Sequence, residues 1–128
     1  MSLMHNIAKY LENSTDYSID STIFVGAEVY EVPAKAIIVT ETPGGTRNES
    51  NLEQRAIQIL CMDRSVIDAE TLAFEIFELM AHAPGFSDND LANENIFYCD
   101  PVALPQKLAR SQGGSFIYSL NFTIWKGA

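Results

Sequence analysis

Along residues 116–124 the large apolar side chains Phe116, Tyr118, Leu120, Phe122 and Ile124 fall on one side, with Ser119, Asn121 and Thr123 on the other. A period of two belongs to a β-strand, and an apolar side of that size must be covered by a second layer. The spacing of Ala69, Leu72, Ala73, Ile76, Phe77, Met80 and Ala83 supplies that layer as a helix, with Glu70, Glu75 and Glu78 elsewhere on its wheel. Ser65 or Asp68 fits its N-cap, and Pro84-Gly85 its stop.

The remaining pattern adds strands to this frame. Leu3, Ile7, Tyr10 and Leu11 mark one face of a short first helix ending near Asn13-Ser14. Thr22 to Val25 reads as a short strand stopped by Gly26, and Val32-Pro33 interrupts regular structure before the apolar run Ala36 to Thr40. Thr42-Pro43-Gly44-Gly45 and the polar residues after it read as an exposed loop to Asn51. Arg55 to Met62 is apolar on both faces, as in a central strand. Phe86 to Asn95 reads as a second polar loop, Asn95 to Cys99 as a strand stopped by Asp100-Pro101, and Val102 to Gly114 as an irregular link. The expected fold is a single α+β domain over residues 1–128. It has a mostly antiparallel sheet of about four to five strands, a long helix packed across one face, and a short N-terminal helix. Met1-Ser2-Leu3 ahead of a second methionine reads as a cloning remnant.

Charge and composition narrow the function. With 17 acidic and 8 basic residues the formal charge is −9, and the basic residues are scattered, so specific nucleic-acid binding is not expected. No apolar run approaches the roughly 18 residues of a membrane span, and no signal-peptide profile is present, which predicts a cytosolic protein without a membrane partner. Cys61 and Cys99, outside any CxxC pattern, read as buried thiols.

A catalytic set does not emerge. His82 at the end of the second helix suits the helix dipole, and His5 has no metal-ligand spacing with a second histidine. Glu75 and Glu78 read as a solvated helix face, and the Pro43-Gly44-Gly45 turn lacks the ending of a phosphate loop. The expectation is a non-enzyme with no catalytic residues, no metal and no cofactor.

Several stretches then carry a resemblance. Phe24-Val25-Gly26, Pro33, Ala36-Ile37-Ile38-Val39 and Glu41-Thr42-Pro43-Gly44-Gly45 are similar to the opening of bacteriophage tail-terminator and minor capsid proteins. Ile57-Gln58-Ile59, Arg64 and the helix near Ala69 resemble the family's middle segment, and Gly114 with Leu120-Asn121-Phe122 resembles its closing strand. Together these span most of the chain from Ile7 to Trp125.

The resemblance implies a phage or prophage virion structural protein, present in the host cytoplasm during virion assembly. It would be a homo-oligomer, a hexameric ring capping the tail tube and taking part in head–tail joining, with tail-tube and head-connector proteins as partners. An acidic lumen in such a ring would let a polyanion pass without being bound. Interface residues expected on this reading are Pro43, Gly44, Gly45, Arg47, Asn48 and Glu49 of the first loop, with Lys107 and Arg110 of the link. The substitution Arg47→Glu should then weaken assembly. Another neck or minor capsid role remains open. So do a small ligand-binding α+β domain, which would need a cavity among Phe77, Phe116, Tyr118 and Phe122, and an enzyme using Asp100, Lys107 and Arg110, which would need those three to converge.

Overall fold

The computed structural model describes residues 3–47, 52–81, 96–108, 110 and 114–127. Helix α1 (Leu3–Ser14) opens the chain, followed by β1 (Ile23–Val25), a 3-10 turn at Val29–Glu31, β2 (Ala36–Arg47) and β3 (Leu52–Asp63). Helix α2 (Val66–Met80) then leads into β4 (Ile96–Pro101), β5 (Gln106–Lys107) and β6 (Phe116–Gly127). The strands form one six-stranded sheet in the order β1-β2-β3-β6-β4, with β5 also paired to β6.

This is an α+β fold, but the sheet departs from the expected one. It has six strands, and it is mixed because β1 lies parallel to β2, Phe24 opposite Ile38. The cause is the route of residues 26–35. The chain does not turn back at the strand end; it passes over the sheet, where Val29 and Val32 pack on Ile38, Met62 and Ile117. A crossover of that kind returns the next strand in the same direction.

The second helix is also shorter than expected, 15 residues. Ser65 caps it by accepting a hydrogen bond from the Asp68 amide at 3.3 Å. It ends where Ala81 leaves helical geometry (ψ 53) and donates its N–H to the Phe77 carbonyl. His82, Ala83, Pro84-Gly85 and the Phe86 to Asn95 loop lie outside the described residues.

The expected loop after Thr42 is largely strand. β2 continues through Pro43, Gly44 and Gly45 to Arg47, pairing Thr46 with Gln54 and Arg47 with Glu53. Between Thr42 and Thr46 the register shifts, because β2 takes four steps where β3 takes two, from Ala56 to Gln54. Proline and glycine are tolerated in a strand at such a bulge, where a ladder bond is lost in any case.

Two further boundaries move. β4 runs through Asp100 to Pro101, and the link to β6 contains the short strand β5. β3 is central as expected, between β2 and β6.

Both helices pack on the same sheet face. Ile7, Ala8 and Leu11 of α1 and Ala69, Ala73, Ile76 and Met80 of α2 are fully buried against Ile37, Val39, Ile59, Cys61, Leu120 and Ile124. Leu3 and Met4 are buried in the same cluster. At about 1.5–3 kcal/mol for each large apolar side chain removed from water, this layer dominates the stability.

Candidate assembly surface

The sheet sorts its charged residues by face. Alternation along β2, β3 and β6 puts Glu41, Glu53, Arg55 and Lys126 on the face that carries the helices. There they form a linked set. Arg55 donates from Nη2 to Glu41 Oε1 at 2.6 Å and lies 3.3 Å from Glu53 Oε2, which Lys126 approaches to 4.0 Å. The guanidinium beside it holds the Glu41 carboxyl below its ordinary range.

The opposite face is almost uncharged. Its rows run Thr40, Gln58 and Asn121, then Thr42, Ala56 and Thr123, then Gln54 and Trp125. Asp100, opposite Thr123 at the edge, is the charged group that this register adds to those rows. Toward β5 the face continues through Leu60 and Ser119, and Ser119 accepts a hydrogen bond from the Asn121 amide at 3.2 Å. At that end Val29 and Val32 cover it. Among the described residues no helix packs on the remainder, and Trp125 is 36% exposed there.

On the far side of the molecule α2 presents its own outer ridge. Ile67 is 73% exposed and Phe74 41%, with Thr71 exposed between them. A spacing of seven puts Ile67 and Phe74 on one line along the helix. Asp68, Glu70, Glu75 and Glu78 flank it, and the helix holds no lysine or arginine. Glu70 accepts a hydrogen bond from the Tyr118 hydroxyl at 3.2 Å, which ties the acidic side of the helix to β6.

The residues expected at an interface do not form one group. Pro43, Gly44, Gly45 and Arg47 lie in the distal half of β2, and Asn48 and Glu49 lie outside the described residues. Lys107 and Arg110 sit elsewhere, both over the Phe116 ring at 5.2 and 4.5 Å. Arg110 Nε is held by the Gly114 carbonyl at 3.0 Å. These cations therefore shield an aromatic ring at the edge of the core.

The two rival chemistries fare poorly. Asp100 faces Thr123 and Lys107 faces Tyr118, five residues apart on β6 and on opposite sheet faces. At about 3.3 Å per residue that is roughly 16 Å, so Asp100, Lys107 and Arg110 do not converge. Phe77 and Phe122 pack with ring centroids 6.2 Å apart, and Tyr118 and Phe116 join the same cluster, so these side chains fill the layer where a ligand would have to sit. Among the described residues no group of three or more His, Cys, Asp or Glu side chains is placed to hold a metal ion, and no helix is long and apolar enough to cross a membrane.

The open face escapes a reading of the sequence because β3 carries Ala56, Leu60 and Met62 on that side and so reads as doubly apolar. Only its register against β6, Gln58 opposite Asn121, shows the polar rows to be continuous.

Comparison with known proteins gives one family. The sequence profile of the family described as "Bacteriophage tail terminator protein" matches residues 10–126 of this chain. No curated protein matches it.

Proposed function

The chain belongs to the bacteriophage tail terminator family, and from that premise we propose that it stops growth of the tail tube by closing on its end as a ring and offers the head connector a docking surface. The family is one of phage structural proteins, so this is a tail-related component of the virion. The observation that carries the reading is the extent of the match, residues 10–126, which takes in both helices and every strand of the sheet in whole or part.

On this reading the protein works as a single, non-catalytic domain, is present in the host cytoplasm during assembly, and forms a six-fold ring. A ring requires heterologous contacts that close on themselves, two different surfaces of each subunit meeting. The distal half of β2, with Arg47, and the Lys107 and Arg110 edge are proposed contacts with the tube, the connector or a neighbour.

Native mass by light scattering over a wide concentration range, alone and with tail tubes that lack their terminator, tests the proposal. A closed hexamer, in solution or on the tube end, is expected, with tube length arrested. A chain that stays monomeric and leaves tubes growing would overturn it. So would open-ended growth of the chain itself.

A further inference from the structure

Among the described residues, two surfaces with no element packed on them lie on opposite sides of the sheet and helix layers, the acidic outer ridge of α2 and the sheet face behind it. They cannot meet within one chain, because the sheet and the inner side of the helix lie between them. Stacking one copy on the next brings them together and repeats the order sheet, helix, sheet, helix.

We propose that the outer ridge of α2, through Ile67 and Phe74, docks on the open sheet face of a second copy of this chain, around Gln58, Asn121 and Trp125. The inference rests on the ring reading above and names the contact that would build the ring.

Charge favours this pairing over one ridge against another, and the head-to-tail geometry of a ring favours it over two sheet faces meeting. The α2 ridge is flanked by Asp68, Glu70, Glu75 and Glu78 with no cation on the helix, so two such ridges repel one another. The sheet face opposite the helices is different. In a chain of net charge −9, it holds amides and hydroxyls where the other face holds Glu41, Glu53, Arg55 and Lys126. Gln58, Asn121 and Thr123 can donate to carboxylates, and the one anion of these rows, Asp100, stands at the edge. Away from Asp100 at one edge and from Glu28 and Glu31 of the crossover at one end, an acidic helix meets no like charge on these rows.

The apolar parts also match. Ile67 and Phe74 stand out of the ridge, and Trp125 stands at the end of the polar rows away from the Val29 and Val32 crossover. Large side chains set among polar groups are the usual anchors of an interface. Because the ridge and the face are different surfaces, the contact is head-to-tail, the type that closes into a ring when each step adds a fixed rotation.

Two variants of the full chain that each add one surface cysteine to the buried Cys61 and Cys99, Phe74→Cys and Asn121→Cys, are made separately, mixed under conditions where the native chain assembles, and oxidised. A disulfide joining one variant to the other, formed in the mixture and by neither variant alone, is the expected result. Asn121→Cys linking to itself would mean that sheet faces meet each other and would overturn the proposal. Assembly without any mixed disulfide would overturn it while leaving the terminator reading intact. In parallel, Gln58→Glu puts an anion on the open face and should raise the concentration needed for assembly at least tenfold, with Gln58→Ala near native and circular dichroism unchanged in both. Normal assembly of Gln58→Glu overturns the proposal, and if that variant assembles but no longer binds tail tubes, the face belongs to the tube protein. A native chain that assembles neither alone nor on tubes removes the terminator reading and this contact together.

Discussion

Arg55 grips Glu41 across the β2 and β3 ladder, reaching it diagonally because Glu41 stands opposite Ile57. Two hydrogen bonds join the guanidinium to the two carboxylate oxygens, Nη2 to Oε1 at 2.6 Å and Nε to Oε2. Glu53 and Lys126 extend the set to β6, so the paired ends of three strands are tied together away from the Val29 and Val32 crossover.

The pair makes stability depend on pH in a stated direction. Glu41 is held below its ordinary 4.5 mainly by the hydrogen bonds from Arg55, so its contribution is complete above that value and is lost as pH falls through the lower folded value. Both groups are partly solvated, which limits the pair to about 0.5–1 kcal/mol. The melting temperature of Glu41→Gln should lie below that of the native chain at pH 7, and the gap should close below pH ~4.5 and narrow with added salt. A gap that is constant from neutral pH to pH ~3 would remove the pair as its cause.

Phe122 should be among the most costly residues to truncate. It is 1% exposed, stands opposite Ile57 in the ladder and packs on Phe77 of α2, so it joins the sheet to the helix that covers it. Phe122→Ala should lose about 3–5 kcal/mol by denaturant titration. A loss below ~1 kcal/mol would mean that this layer is loosely packed and would reopen it to a ligand.

What could be read from the sequence is what short-range pattern encodes. The alternation from Phe116 to Ile124, the inner stripe of α2, its Ser65 cap and the Leu3–Ser14 helix all repeat locally, and the structure has each of them. The parallel β1 was hidden because its direction depends on Val29 and Val32 settling over Ile38, Met62 and Ile117, residues distant in sequence. Pro43-Gly44-Gly45 has turn composition, and only pairing of Thr46 with Gln54 turns it into a bulged strand. The candidate surface was hidden for the same kind of reason, since its rows cross three strands and exist only once the register is set.

Gly26 closes β1 with φ +71 while its amide donates to the Val39 carbonyl at 2.9 Å. A Cβ there would meet nothing within 4 Å, so any penalty comes from the backbone alone. Gly26→Ala should cost about 1–2 kcal/mol, and Gly26→Asn less, because asparagine tolerates left-handed geometry. Equal stability of Gly26→Ala and the native chain in thermal melts would contradict this conformation.

Cys61 and Cys99 are free thiols, 0% and 1% exposed, on the helix-covered side of the sheet. Burial pushes Cys99 up to about 12, with Asp100 adding to it, and burial pushes Cys61 up as well. The thiolate fraction of Cys99 at pH 8 is then on the order of 10⁻⁴, far below that of an exposed cysteine. Labelling by a thiol reagent should be slow in the folded protein, should accelerate with denaturant in step with unfolding, and should reach two thiols per chain once it is unfolded. Rapid labelling of the folded chain at pH 8 would show that the sheet and helix layer opens readily. The same burial keeps both native thiols silent when Phe74→Cys and Asn121→Cys are oxidised together, so a disulfide in that mixture reports the contact between copies and not a side reaction of the core.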